Sequence, residues 1–554
     1  VDCQAGAGEL YSMTTIDTHA GASLSTGDGS LARSSFLVAV ADWLTSSDHK
    51  KIGRLFLTLS GIGAIAAGVL GVLVGLERIT ADSSSIISAG AETQFISMFR
   101  FVLVYIALAP LFIGIAIAVV PLQVGARALS LPRLAQFGVW SWFFGVALVV
   151  ISVSAGGGPT GSDQNFVTMY LLGLALTAVG LIAASIPVAT TILTSRAPGM
   201  DMMRVPTFAW SAMVGAISNI LSLPVLIGTL IYLYVDNEHA SVAFGGADGT
   251  WDWIDWAFTQ PQTIVFAIMA IGLLTEIAPV AARTRQPLRP IVLVGLGLIS
   301  IAALGAVTQS QHPWRWDGSA GDVIKSLILW GFFNVLPLLG AFIALALSLL
   351  ALKTGKVRIS SGFVFAFLGV GMILVGLAGK ALYCFLDAGL AGTVFDEGVL
   401  TYIVYGTVMA GMGAVSYWGP KLWGRMLPEK KVLPLAGLAL IGTVLASFPY
   451  YIAGFADQPA NALGRFEYEG PSELWNALAT IGHGVFALSV IAFILLAAKS
   501  FRSGDVAGDD PWDGNTLEWA TSSPAPVNNF VELSVVGSPE PLRDVKPSSQ
   551  EVSA

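Results

Sequence analysis

From about residue 55 to residue 498 the chain alternates between long apolar runs and short polar breaks. Twelve runs are predicted as helices, near 55–76, 97–121, 137–155, 167–193, 208–234, 260–282, 290–308, 323–351, 361–380, 399–418, 432–455 and 474–498. Each is long enough to cross about 30 Å of hydrocarbon at about 1.5 Å per residue. A helix is the form in which such a run satisfies its own backbone in lipid. The polar breaks carry their basic residues unevenly. With the chain starting inside, Lys50, Lys51, Arg54, Arg127, Arg133, Arg196, Arg204, Arg283, Arg285, Arg289, Lys353, Lys356, Arg358, Lys421, Arg425, Lys430, Lys431, Lys499 and Arg502 fall on cytoplasmic flanks. The opposite flanks hold Arg78, Arg100, Arg315, Lys325, Lys380 and Arg465. That bias predicts both termini in the cytoplasm and an even number of spans. The segment Trp251-Asp252-Trp253-Ile254-Asp255-Trp256 reads as an outer loop of interfacial aromatics, and Lys380 as a cation snorkelling from the end of the ninth helix.

Three domains follow from this pattern: a disordered extension over 1–35, a twelve-helix membrane domain over 36–502, and a disordered acidic cytoplasmic tail over 503–554. The short amphipathic stretch from Phe36 to Leu44 is expected along the membrane surface. The first residues show neither the basic n-region nor the apolar h-region of a signal peptide. Composition agrees with the class: 55% of residues are hydrophobic and 12% charged, as in a polytopic membrane protein with lipid as its surroundings. A net charge of −8 with no basic block excludes nucleic acid as a partner. Cys3 and Cys384 fit neither a disulfide framework nor a CxxC site, and five histidines are a thin supply for a multi-metal centre.

Several motifs stand in a telling order. Trp43 to Gly53 reads WLTSSDHKKIG; Pro121 to Ala126 is followed by Leu131-Pro132-Arg133-Leu134; Gly156 to Gly161 reads GGGPTG. Arg196-Ala197-Pro198-Gly199-Met200 precedes the fifth run, and Leu221 to Leu226 lies inside it. The run from Asp396 to Met426 ends in Tyr417-Trp418, Pro420-Lys421 and Gly424-Arg425-Met426, and Asp510 to Pro526 reads DPWDGNTLEWATSSPAP. Over residues 40 to 530 this collinear set resembles subunit I of the haem-copper oxidase superfamily, the cytochrome c oxidases. The resemblance implies an all-α integral membrane fold, a twelve-transmembrane-helix bundle of the cytochrome c oxidase subunit I type. It also implies a bacterial plasma membrane, with other oxidase or respiratory subunits as partners.

Family members hold two haems and a copper with six histidines, on helices two, six, seven and ten, and this chain departs from that set. The family's Met-His-Gly on helix two reads Met98-Phe99-Arg100. His-Pro-Glu on helix six reads Gln260-Pro261-Gln262, with Ile264 where a tyrosine is expected. The helix-seven pair falls on Ser310-Gln311, and no histidine lies between His312 and His483 to serve helix ten. The arginines that hold haem propionates would fall near Phe455-Ala456-Asp457-Gln458, a proton-path aspartate appears as Ala128, and no lysine lies between Leu329 and Leu345. The chain is therefore read as a divergent bacterial member lacking the haem and copper ligands. No catalytic, cofactor-binding or metal residue is recognised, and neither haem nor copper is predicted.

Some chemistry remains to place. His312 is the single candidate for a residual metal ligand, set against the plainer reading of an interfacial histidine beside Trp314. His19, His49 and His239 read as loop or cap residues, and His483 as a contact to a neighbouring helix. Arg100 and Glu276 lie within apolar runs, where a charge is costly by about 3 kcal/mol. They either snorkel or form a buried polar site with Gln260 and Gln262. Three functions compete: a non-redox scaffold or accessory subunit of the respiratory chain; a terminal oxidase passing electrons from cytochrome c to O2 with proton translocation, its haem and copper on unrecognised ligands; and a transporter reusing the emptied cavity.

Overall fold

The computed structural model describes residues 38, 41–79, 87, 91–159, 161–239, 241, 243–244, 246–463, 471–530, 532–533 and 535–545. His19, Cys3, Arg465, residues beyond Val545, the whole predicted N-terminal extension over 1–35, and residues 36, 37, 39 and 40 of the predicted surface stretch lie outside the described residues. The chain divides into two compact units, Val1–Thr45 and Ser46–Ala554. In the first, residues 41–44 are helical.

Among its described residues the second unit holds twelve helices long and apolar enough to cross a membrane. They are α1 His49–Ile79, α2 Glu92–Gln123, α3 Pro132–Ser154, α4 Gln164–Thr194, α5 Thr207–Glu238, α6 Gly249–Ala282, α7 Arg289–Val307, α8 Ala320–Thr354, α9 Ser361–Tyr383, α10 Phe395–Trp423, α11 Glu429–Phe455 and α12 Ser472–Ser503. Each coincides with a predicted run, because the same length of apolar sequence that suits lipid also satisfies its backbone internally. Local signals set the ends. Asp163 caps α4 by accepting from the Asn165 and Phe166 amides, and Ser319 with Asp322 forms a capping box on α8. α10 stops where Gly424 takes a left-handed φ of 78°.

Sequential helices pack as neighbours, and α12 closes against α1. α2, α6 and α10 are buried along 94–100% of their most apolar stretch, against 33–67% for the others. These three form the core, and Arg100, Glu276 and Glu397 project from them. α2 and α8 each contain a π-helical turn, Val102–Leu108 and Gly331–Val335.

Three expectations are corrected. The aromatic segment before Gln260 is a helix, Gly246–Phe258, folded into the bundle rather than an interfacial loop. Ile254, Trp256 and Phe258 are buried in it, and Trp253 is the exposed indole of the group. Lys380 does not snorkel; it is 3% exposed and turns inward. The chain after Ser503 packs on one end of the bundle instead of forming a disordered tail, at least as far as Val545. Its polar composition conceals a few large apolar anchors, Trp512, Leu517, Trp519 and Phe530, all buried. They bring tail carbonyls to Lys421, whose Nζ donates to Asp509 O at 2.9 Å and Thr521 O at 2.6 Å. Trp512 Nε1 donates to Tyr417 O at 2.8 Å. Asn529 ties the tail to the start of α1: its Oδ1 lies 3.1 Å from His49 Nε2 and accepts from Lys50 Nζ at 3.3 Å, while its Nδ2 donates to Ala126 O at 2.8 Å.

Candidate functional site

The largest buried ion network surrounds Glu397, in the first turn of α10. Arg78, in the last turn of α1, donates from Nη1 to Glu397 Oε2 at 2.5 Å and from Nη2 to Oε1 at 3.0 Å, the two-pronged pairing guanidinium geometry favours. Arg78 also donates to Ala460 O at 2.8 Å and lies 5.4 Å from the Tyr450 ring centroid. Arg100 of α2 approaches Glu397 at 3.9 Å and Asp255 at 3.7 Å, with Trp251 beneath its guanidinium at 5.2 Å. Gln458 and Asn476 exchange amide hydrogen bonds at 3.1 and 3.3 Å beside this group, and Asn476 Nδ2 donates to Arg78 O. Both arginines face protein carboxylates, Arg78 through two close hydrogen bonds and Arg100 through longer ion pairs that leave its buried Nε without a hydrogen-bond partner.

Arg100 and Glu276 do not share a site. Arg100 touches Asp255 near the start of α6, and Glu276 lies 21 residues further along it, about 30 Å at helical rise. Glu276 Oε2 accepts from Thr207 Oγ1 at 2.8 Å and from the Phe208 amide at 3.2 Å. Under the docked tail beside it, Glu518 is fully buried and its Oε1 accepts from Gln123 Nε2 at 3.1 Å and Trp418 Nε1 at 3.2 Å. Burial, together with the charge of Glu276, pushes the Glu518 carboxyl up to about 7. Sequence reasoning missed both Glu518 and Glu397. The latter had a signal, an Asp-Glu pair opening a long apolar run.

The positions matched to family ligands divide into filled and polar ones. Phe99 is buried and meets His483 edge-on, ring centroids 5.8 Å apart. His483 Nδ1 is 2.7 Å from Tyr405 Oη on α10, and Tyr405 stacks on Phe486 at 3.6 Å. His483 is therefore the helix-to-helix contact its sequence setting suggested. Gln260 and Gln262 are fully buried, and neither amide has a hydrogen-bond partner on its nitrogen or oxygen. Gln311 Oε1 accepts from Lys380 Nζ at 2.6 Å, and its carbonyl accepts from Asn334 Nδ2 at 3.2 Å. His312, at φ 47°, has Nε2 3.0 Å from Thr308 Oγ1 and stacks on Phe333 at 3.9 Å. Between Gln260, Ile264, Ser310, Gln311 and Lys380 remains a cavity of about 10 Å3, room for about one water molecule.

A twelve-span bundle around three buried central helices defines a polytopic membrane protein of the oxidase subunit I type. The family described as cytochrome c and quinol oxidase polypeptide I matches residues 51–485, and the chain belongs to that family. A Streptomyces avermitilis protein named as a cytochrome c oxidase subunit 1-beta is 29% identical over 530 residues, covering 91% of this chain and 92% of the relative. Cytochrome c oxidase subunit 1 of Bacillus subtilis is 28% identical over 520 residues, covering 90% and 82%. The subunit of Alkalihalophilus pseudofirmus is 28% identical over 523 residues, covering 90% and 82%.

Membership in this family implies haem and copper, and the donors present do not fit either group. Phe99, read from the sequence at the helix-two ligand position, is a buried hydrocarbon ring, and α10 offers Tyr402, Tyr405 and Met409 but no histidine. Gln260 and Gln311 are neutral amides, poor donors to copper. Among the described residues no three His, Cys, Asp or Glu side chains converge as a metal-binding group.

Proposed function

We propose that this protein is a non-redox member of the oxidase subunit I family, a membrane scaffold or accessory subunit associated with respiratory proteins in a bacterial plasma membrane. The observation that carries the reading is the pairing of a retained bundle with side chains that occupy the ligand positions on other terms. Phe99, His483, Tyr405 and Phe486 pack against one another, and Arg78 and Arg100 are neutralised by Glu397 and Asp255. Such packing stabilises the bundle through its own atoms, since interiors tolerate few voids. The basic flanks support both termini in the cytoplasm, and with that orientation the docked tail is a surface for partner subunits on that side.

The test is a pyridine haemochrome spectrum and a metal analysis on one sample of purified, folded protein. The expected outcome is substoichiometric haem and copper. Stoichiometric haem and copper would overturn the reading and return the protein to the terminal oxidases.

A further inference from the structure

Lys380 presents a problem in charge balance. Its side chain is 3% exposed on a membrane-spanning helix, where an ammonium without compensation is costly. Its Nζ donates to the neutral Gln311 Oε1 at 2.6 Å and lies 4.9 Å from the Tyr383 ring centroid. Among the described residues no carboxylate comes within 4.0 Å of it; Asp255, at the same end of the bundle, pairs with Arg100 and acts on Lys380 from a longer range. An ammonium has three donors, and one hydrogen bond to an amide oxygen uses one of them.

The space beside Lys380 is built to accept what that charge lacks. Gln260, 0% exposed, lines the same cavity with its Nε2 hydrogens unpartnered. Ser310 Oγ accepts from the His312 amide at 3.1 Å, which leaves its own hydrogen to donate. A buried donor without an acceptor is rare in native proteins and calls for an explanation. The backbone around the cavity is also held in uncommon conformations. Gln309 and His312 have φ of 53° and 47°, and Asn334 sits in the π-helical turn of α8. Strain and π-turns of this kind collect at ligand clamps.

We propose that this cavity binds one small monovalent anion of halide size, held by Lys380 Nζ, Gln260 Nε2 and the Ser310 hydroxyl. The charge of Lys380 selects an anion over a cation. The volume of about 10 Å3 admits a single atom or a water-sized ion and excludes carboxylates and phosphates. The inference goes beyond the scaffold reading and does not depend on the haem content.

The experiment is thermal unfolding of the full chain in detergent, titrated with sodium chloride or bromide against sodium gluconate at constant ionic strength. The expected result is a saturable rise in Tm of several degrees with either halide. Lys380→Met should abolish the rise, and Gln260→Leu should raise the half-maximal concentration roughly tenfold, a loss of about 1.4 kcal/mol. Because Lys380→Met can fail to fold, crystals of the unsubstituted protein soaked in bromide give a second readout, an anomalous peak in this cavity. A Tm indifferent to halide overturns the proposal. So does a halide effect that survives both substitutions, or bromide bound elsewhere with this cavity empty of it.

Discussion

At the scale of single residues, Glu397 matters most, because two buried guanidinium groups depend on one carboxylate. Removing one partner of a buried pair leaves an uncompensated charge and costs about 3–5 kcal/mol. Glu397→Gln is therefore expected to lower the unfolding temperature in detergent sharply. Replacing Arg78 and Glu397 together by methionine should recover much of the loss, since a matched apolar pair avoids both desolvation penalties. A double substitution no better than Glu397→Gln would show that Arg100 is the arginine that needs the carboxylate. The five histidines gave the sequence its clearest statement, because a residue type absent over a long interval is absent in every register. Where the charged side chains point was much less legible. Lys380 looked like a snorkelling cation because it stands near a helix end, yet its rotamer is fixed by Gln311, 69 positions earlier in the chain.

At the scale of elements, the seam between α1 and α12 shows how closely the helices approach. A Cβ added at Gly71 would lie 2.5 Å from His483 Nδ1 and 2.6 Å from its Cγ. Gly71→Ala should displace the imidazole, break its contact with Tyr405, and cost about 1–3 kcal/mol. Thermal unfolding of the purified variant measures the cost. A near-neutral result would mean that His483 has a second rotamer available. The twelve helices were readable because apolar runs of spanning length have few other solutions in lipid. The aromatic segment at Trp251 was not, because belt and buried-helix patterns share the same residues. What separates them is Arg100 on another helix, which draws Trp251 and Asp255 inward.

At the scale of the whole molecule, the docked tail makes one end of the bundle sensitive to proton concentration. Glu518 has its carboxyl raised from 4.5 to about 7 by burial and by Glu276, so the protonated form is favoured when the tail is docked. The sign follows from linkage: the contribution is complete below about 4.5 and is lost as pH rises through about 7. Amide exchange across the described residues of 504–545 is expected to quicken as pH rises from about 4.5 to about 7 and to level off above that, beyond its intrinsic pH dependence. Glu518→Gln should flatten that dependence, and an unchanged profile would place the docking energy in the tryptophans instead. The tail was illegible from composition because four anchors among many polar residues do not shift an average. The bonds of Asn529 to His49 and Lys50 then carry a consequence for biogenesis. A ribosome delivers Asn529 480 residues after His49, so the entrance of α1 stays unlatched while all the intervening spans are being made and inserted, and a nascent chain halted before Asn529 leaves the His49–Lys50 edge open.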